Sequence, residues 1–292
     1  MTTYNENVAQ TDDEQWDIVI EPRSGLFELN LKSVWHYRDL LWLFVKRDFT
    51  AQYKQTILGP LWHLIQPLLT TAMFLVVFTR IARIPTEGVP PVLFYMSGLT
   101  VWNYFSACLN STSNTFIANS GIFGKVYFPR LVIPLSVVLS NISRFIIQLV
   151  LLFSIAVYYA FRGYHLVISP FLLLIPVLLL VLAGMGLGLG IIISSLTTKY
   201  RDFTVLVGFG VQLLMYLTPV AYPLSYLSSS KYLKFIYYNP LSPLLEAFRY
   251  ALFNTGSLSA SGLLYSCCCM IILLFSGILL FTKVEKSFMD TV

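Results

Sequence analysis

Six long apolar runs constrain this chain more than any other feature of its sequence. Each run holds about 20 residues or more, the length with which an α-helix crosses about 30 Å of hydrocarbon. Because the runs are continuous rather than alternating, we expect helices and not strands. The sequence therefore predicts an all-α, polytopic membrane protein. Its six spans are placed at residues 59–79, 92–117, 131–160, 169–196, 203–222 and 262–281.

Composition and charge agree with this class. Hydrophobic residues make up 57% of the 292 residues and charged residues 11%, whereas soluble domains carry about 25% charged residues. If the N-terminus is inside, the inner segments hold twice as many of the 19 Lys and Arg residues as the outer segments. Since cytoplasmic loops retain basic residues, we expect both termini in the cytoplasm. Anionic membrane lipids account for the net charge of +5, so no nucleic-acid partner is expected.

The chain divides into three parts. Residues 1–30 form a polar tail without the apolar core of a signal peptide, residues 31–56 an amphipathic interface helix, and residues 57–292 the membrane domain. In the interface helix, apolar residues recur at helical spacing: Leu31, Val34, Trp35, Leu41, Trp42, Val45 and Phe49. The helix is predicted to be either a simple anchor or a platform from which Arg38, Lys46 or Arg47 meets an anionic lipid headgroup.

Two inner loops are candidates for contact with a soluble partner. The first contains Gly124, Lys125, Val126, Tyr127, Phe128, Pro129 and Arg130. Its aromatic side chains, expected to be exposed beside two basic residues, suit docking into a cleft, although a solvated turn is the alternative. The second loop, with Lys199, Tyr200, Arg201 and Asp202, would make a second contact.

The outer stretch 219–262 is too apolar for an ordinary loop and too broken to span. Prolines at 219, 223, 240 and 243 divide it into short pieces, among them 230–238 and 244–253. Irregular backbone at membrane depth is tolerated only where protein or a water-filled cavity covers it. We therefore predict two short re-entrant helices before the last span, with a capping extracellular domain as the alternative.

Short blocks in a fixed order along almost the whole chain carry a family resemblance. They include Leu58-Gly59-Pro60-Leu61-Trp62, Lys125-Val126-Tyr127-Phe128-Pro129-Arg130 and Glu246-Ala247-Phe248-Arg249, with others at 37–41, 47–48, 53–55, 66–67, 199–202, 219–220 and 239–241. The chain resembles the membrane subunit of ABC type-2 polysaccharide exporters, which move O-antigen, capsule or teichoic acid chains.

The resemblance implies a homodimer enclosing one channel in the bacterial inner membrane. Two copies of a separate ABC ATPase would bind ATP and Mg, and the substrate would be an undecaprenyl-pyrophosphate-linked polysaccharide. The loop ending at Arg130 looks like the family's coupling helix. The broken stretch, with Pro219, Asn239, Pro240, Glu246 and Arg249, looks like its periplasmic gate.

Aromatic rings near the span ends suit a path for a sliding polymer, because rings stack on sugar faces without deep polar pockets. The alternative is an interfacial belt of Trp and Tyr. The candidates for lining the channel are Trp62, Phe74, Tyr95, Trp102, Tyr104, Phe105, Tyr216 and Tyr222.

No pattern predicts catalysis in this chain. There is no phosphate-binding G-x-x-x-x-G-K-[ST] motif, and Gly184, Gly186, Gly188 and Gly190 are placed for close helix packing. Cysteines and histidines lack the spacing of metal ligands, so we expect no metal or cofactor in this chain. The alternatives are a membrane-embedded lipid- or sugar-modifying enzyme using Asp39 and Asp48, and a small-molecule ABC exporter.

Arg144 is the one charge in the middle of a predicted span, which makes it a functional candidate. Three interpretations are open: a pair with Glu246, a contact with the pyrophosphate of a lipid carrier, or a side chain that extends along its helix to the interface.

Overall fold

The computed structural model describes residues 31–54, 56–123, 128–165, 169–199, 202–227 and 233–288, and this part of the chain contains helices and no strands. The α-helices are α1 Leu31–His36, α2 Arg38–Tyr53, α3 Trp62–Phe74, α4 Pro91–Ser113, α5 Thr115–Ala118, α6 Ser120–Phe123, α7 Val132–Phe161, α8 Ile175–Lys199, α9 Phe203–Leu217, α10 Leu233–Tyr237, α11 Leu241–Phe253 and α12 Ala260–Phe288. The shorter helices are the 3-10 helices Gly59–Leu61, Pro170–Leu174 and Leu224–Leu227 and the π-helix Leu75–Ile81.

Five described helical segments are long and apolar enough to cross a membrane. They are Gly59–Ile81, Pro91–Ser113, Val132–Phe161, Pro170–Thr197 and Ala260–Lys283. They match five of the six predicted spans and confirm an all-helical, multi-pass membrane protein. The count of six crossings stays a prediction, because the remaining apolar helix, α9, is shorter than these five.

The predicted fifth span, 203–222, ends earlier in the structure. The helix α9 has 15 residues and stops at Leu217, a length of about 22 Å at 1.5 Å per residue. Thr218 is extended, with ψ of 139°, because the ring of Pro219 disfavours the helical conformation in the residue before it. The backbone from Thr218 onward therefore needs other hydrogen-bond partners.

The core of the subunit forms around α4 and α8. The helix α4 is buried along most of its length and packs against α3, α7, α8 and α11, while α8 also packs against α12. Gly184 and Gly188 face α12, and Gly186 and Gly190 face α4. A Cβ atom at Gly188 would lie 2.8 Å from the backbone carbonyl carbon of Leu273. The prediction that these glycines permit close helix packing is thereby confirmed.

The predicted interface helix is divided into two. Tyr37 separates α1 from α2 with φ of −90° and ψ of 24°, and α2 ends at Tyr53 rather than at residue 56. The side chain of Phe44 is buried against other helices, whereas those of Trp35 and Trp42 are exposed. The helix α2 packs against α7, where the Ser140 hydroxyl donates to the Val45 carbonyl at 3.5 Å.

Candidate functional site

The outer cluster, which comprises Pro219, Val220, Asn239, Glu246 and Arg249, is built around Arg249 on α11. The Arg249 side chain donates from Nη1 to the carbonyl oxygen of Pro219 at 2.8 Å and from Nη2 to that of Val220 at 2.7 Å. Its guanidinium lies 3.7 Å from the ring centroid of Phe94 on α4. Arg249 therefore joins α4 and α11 to the segment after α9 and gives donors to carbonyls that no helix satisfies.

Glu246 lies one turn before Arg249 and is also buried. Its Oε1 is 3.4 Å from Arg249 Nη1, and its Oε2 accepts the backbone N–H of Ser257 at 3.3 Å. Burial raises the pKa of the Glu246 carboxyl, and the adjacent Arg249 acts in the opposite direction. Burial lowers the pKa of Arg249 to about 10, so the guanidinium is charged at neutral pH. Because Glu246 pairs with Arg249, the alternative that it pairs with Arg144 is wrong.

Asn239 fixes the other side of the outer cluster. Its Nδ2 donates to Thr218 Oγ1 at 2.9 Å, and its Oδ1 accepts the backbone N–H of Leu241 at the start of α11, at 3.0 Å. The carbonyl of Pro240 accepts from the Ser266 hydroxyl on α12 at 2.7 Å. The structure thus brings the residues of the predicted gate into contact with α9, α11 and α12. Their gating role stays a prediction.

An aromatic pocket opens beside the outer cluster. It has a volume of about 420 Å³ and is lined by Ile84, Tyr216, Leu217, Tyr222, Tyr226, Phe235 and Ile236. The Tyr222 hydroxyl donates to the Tyr216 carbonyl at 2.9 Å. The pocket offers ring faces and edges, the surfaces on which a sugar can stack.

The eight predicted channel aromatics fall into two groups. Trp62 and Tyr216 are 51% and 59% exposed, and Phe74 and Tyr222 are half-buried. Four others are only 0–6% exposed and belong to the core of the subunit: Tyr95, Trp102, Tyr104 and Phe105. In this conformation only the first group can offer ring faces to a polymer.

The C-terminal part of the first inner loop packs into the protein through Phe128. Phe128 is 6% exposed, and its ring centroid lies 5.8 Å from that of Phe44 on α2. It belongs to an inner cluster that joins α2, α5, α7, α8 and α12: Phe44, Phe116, Phe128, Val132, Ile133, Ile191 and Phe281. The prediction that Phe128 is exposed for docking is therefore wrong.

The remaining residues of the two inner loops, which are the other predicted contacts for a soluble partner, are partly buried, partly exposed and partly outside the described residues. Pro129 precedes α7, and Arg130 is buried. Asp202 is exposed at the start of α9, and Lys199 ends α8. Gly124, Lys125, Val126, Tyr127, Tyr200 and Arg201 lie outside the described residues.

The three basic residues of the interface helix have different surroundings. Arg38 and Lys46 are exposed, and Arg38 Nε lies 3.9 Å from Asp39 Oδ1. Arg47 is engaged: its Nη2 is 2.8 Å from Asp48 Oδ1, and its guanidinium lies 4.7 Å from the ring centroid of Phe44. Arg38 and Lys46 are thus the more available partners for a headgroup.

Sequence comparison identifies the family. The model of the ABC-2 type transporter family matches residues 39–253, about three quarters of the chain. The chain belongs to the ABC-2 type transporter family. Two similar proteins from Klebsiella pneumoniae are each 29% identical, over 252 and 255 residues, and a third from Myxococcus xanthus is 26% identical over 265 residues. All three are named O-antigen export system permease protein RfbA, and the alignments cover 86–90% of this chain and 94–98% of those proteins.

For this ABC-2 family member, one residue that lies against the outer cluster was not predicted from the sequence. Gly98 lies on α4, where a Cβ atom would come within 2.8 Å of the Val220 carbonyl oxygen and 2.9 Å of Arg249 Nη2. Its only sequence signal is a glycine inside a helical run, which weakens the helix unless packing requires it. The structure supplies that packing requirement.

Proposed function

We propose that the chain is the channel-forming membrane subunit of an ATP-driven exporter of lipid-linked polysaccharide of the O-antigen type. The observation that carries this function is the end-to-end similarity to permeases named for O-antigen export. Family membership favours a transport subunit over a lipid- or sugar-modifying enzyme. It does not by itself separate a polysaccharide from a small molecule, and the names of the relatives favour the polysaccharide.

The active assembly in this proposal is a homodimer with two copies of a cytoplasmic ABC ATPase, which binds ATP and Mg. Exposed polar groups on α3 and α9 support a path next to these helices. Gln66 and Gln212 are both exposed on the single chain, and amide side chains in lipid would lack hydrogen-bond partners. Trp62 and Tyr216 are exposed on the same two helices. A second subunit or a hydrated polymer would satisfy the amides, and the rings would contact the sugars.

The membrane arrangement in the proposal has six crossings, with α9 as the fifth and both termini in the cytoplasm. Two short helices, α10 and α11, occupy the stretch between α9 and α12. In the proposal they enter the outer half of the membrane and return, and the outer cluster acts as the gate. Burial of α11 against α4, α8 and α12 supports this placement, because irregular backbone at that depth requires a protein cover.

Coupling to the ATPase is assigned to the two inner loops. The inner cluster would transmit movement of the first loop to α2, α7, α8 and α12, since Phe128 packs into it directly. The substrate in this account is an undecaprenyl-pyrophosphate-linked polymer, whose headgroup approaches along α2 under the attraction of Arg38 and Lys46, with Arg47 beside them.

The function is tested in the bacterium that carries the chain. Deletion of its reading frame should remove long-chain polysaccharide from the cell surface and leave lipid-linked polymer in the inner membrane. Expression of the intact chain should restore surface polysaccharide. Unchanged surface polysaccharide in the deletion strain, together with loss of resistance to small-molecule toxins, would favour the drug-exporter alternative.

A further inference from the structure

The unpaired cation Arg144 lies inside the apolar helix α7. Its side chain is half-buried, its Nε is buried without a hydrogen-bond partner, and it forms no ion pair with any residue that the structure describes. A guanidinium keeps its charge in proteins, and an uncompensated charge within a membrane helix is costly. Among the residues that the structure describes, none neutralises this positive charge through an ion pair.

The elbow between α2 and α3 packs against the helix that carries Arg144: both α2 and α3 contact α7, and the Ser140 hydroxyl, one turn before Arg144, donates to the Val45 carbonyl of α2. Two polar groups of this elbow interact electrostatically with Arg144: Tyr53 at the end of α2 and His63 in the first turn of α3. The Tyr53 hydroxyl is buried and has no hydrogen-bond partner in the described part of the chain. Its ring meets that of His63 edge-on at 5.6 Å, and His63 Nε2 lies 2.9 Å from Gln52 Nε2. A guanidinium nitrogen on α7 and a phenol on the elbow that packs against α7 thus lack hydrogen-bond partners among the described residues, and the His63 ring packs against the phenol ring.

A second copy of this chain does not supply the missing negative charge from its membrane helices. The six apolar helical segments contain no Asp or Glu, and the buried Glu246 of α11 already pairs with Arg249. Of the two acidic residues on α2, Asp39 lies beside Arg38 and Asp48 pairs with Arg47. A ligand that enters the membrane can supply the counter-charge. A phosphate group fits the donors, because a guanidinium binds phosphate oxygens in a bidentate way and a phenol adds one further hydrogen bond.

We propose that Arg144 and Tyr53 form a phosphate-binding site, positioned by His63, for the phosphate or pyrophosphate headgroup of a polyprenyl lipid. The elbow lies at the junction of the helix predicted to lie in the interface and the first crossing, where a headgroup on the α2 side of the membrane reaches α7. The choice of a polyprenyl lipid rests on the proposed function. An ordinary phospholipid or free pyrophosphate carries the same phosphate chemistry, and a competition experiment distinguishes these ligands from a polyprenyl lipid.

The test measures binding of farnesyl pyrophosphate to the full-length chain in nanodiscs of phosphatidylcholine. We expect R144Q to weaken binding at least tenfold, and Tyr53→Phe, which keeps the ring against His63, to weaken it about threefold. The matched control is R162Q. Arg162 lies directly after the last residue of α7, where it donates to the Tyr158 hydroxyl at 2.9 Å, and its replacement should leave the affinity unchanged.

Competition arms identify the ligand. Inorganic pyrophosphate and phosphatidylglycerol should each displace farnesyl pyrophosphate at least tenfold less effectively than unlabelled farnesyl pyrophosphate does. Equal competition by either would overturn the polyprenyl assignment.

Wild-type affinity in R144Q, or loss of the oligomer in R144Q, would overturn the site. If R144Q does not fold, unchanged affinity in Tyr53→Phe overturns it instead. Binding is measured without ATP or polymer, so Arg144-dependent binding in a chain that exports nothing would contradict the proposed function and leave the site standing.

Discussion

At the scale of single residues, the buried charges of the outer cluster connect backbone that helices leave unsatisfied. The two terminal nitrogens of Arg249 donate to the Pro219 and Val220 carbonyls, and one of these nitrogens, Nη1, also donates to Glu246. Phe94 covers the guanidinium, and Gly98 leaves the space that it needs. The cluster therefore holds the end of α9 to α4 and α11 through one side chain.

Arg249→Met should lower the free energy of unfolding by about 3 kcal/mol, because loss of one partner leaves Glu246 and two carbonyls buried without donors. The free energy is measured by denaturant titration of the purified protein in mixed micelles. Arg80→Met is the control, since Arg80 is exposed at the end of the first span. The double variant Glu246→Gln with Arg249→Met should cost less than the two single costs together. Equal stability of the Arg249 and Arg80 variants would contradict this role.

Residue-level prediction from sequence reached the members of the outer cluster but not their contacts. The family resemblance assigned Pro219, Asn239, Glu246 and Arg249 to one functional region, and the structure places them together. The bonds to the carbonyls depend on how the chain turns after Thr218, which no sequence spacing encodes. The prediction that Phe128 is exposed is wrong because the ring packs against Phe44, a partner more than 80 residues away along the chain that local sequence does not reveal.

At the scale of helices, the glycines of α8 determine how closely three helices approach. Gly188 contacts the α12 backbone, and Gly277 on α12 lies against the Gly188 carbonyl, where an added Cβ would come within 2.9 Å. Backbone contacts of this kind cannot relax by a side-chain rotation. The approach of α8 and α12 therefore depends on both residues.

Gly188→Ala should destabilise the protein by about 1–3 kcal/mol, the usual cost of overpacking a tight contact. Gly208→Ala on α9 is a matched control, because no atom lies within 4 Å of an added Cβ there. Alanine also favours helix over glycine, so the control should be neutral or stabilising. Thermal melting of both variants in the same detergent checks the prediction. Equal melting temperatures would mean that α8 and α12 are not closely packed in the membrane.

The apolar runs of the sequence predicted the positions of the helices well and the ends of the helices less well. Five spans agree with the predicted runs to within a few residues, since length and hydrophobicity alone determine a crossing. The end of α9 was placed five residues too late, although Pro219 gave the signal. The break at Tyr37 has no comparable proline or glycine and could not be predicted from the sequence.

At the scale of the whole molecule, α9 decides the topology. If this 15-residue helix crosses the membrane, the chain has six crossings and both termini on one side; if it does not, the termini lie on opposite sides. The helix compensates for its length in one of the usual ways, by local thinning of the bilayer or by continuation through the covered segment after Leu217.

Single cysteines at Thr3 and Ser287, in a chain without the four native cysteines, distinguish these cases. Neither should react with a membrane-impermeant maleimide in intact spheroplasts, and both should react after lysis. Ser257→Cys, between α11 and α12, should react without lysis if α9 crosses and only after lysis if α9 does not cross. Labelling of the Ser287 variant alone among the two terminal variants would establish five crossings and contradict the proposed topology.

The proposed function requires that this ABC-2 family member moves a lipid-linked polysaccharide when a separate ATPase hydrolyses ATP. Proteoliposomes that contain the chain and its partner ATPase, loaded with isotope-labelled undecaprenyl-pyrophosphate-linked O-polysaccharide in the ATPase-side leaflet, measure this directly. We expect polymer to become accessible in the opposite compartment only with hydrolysable ATP, and we expect the partner ATPase alone to move none. Polymer that stays in the original leaflet while ATP is consumed would contradict the proposed function.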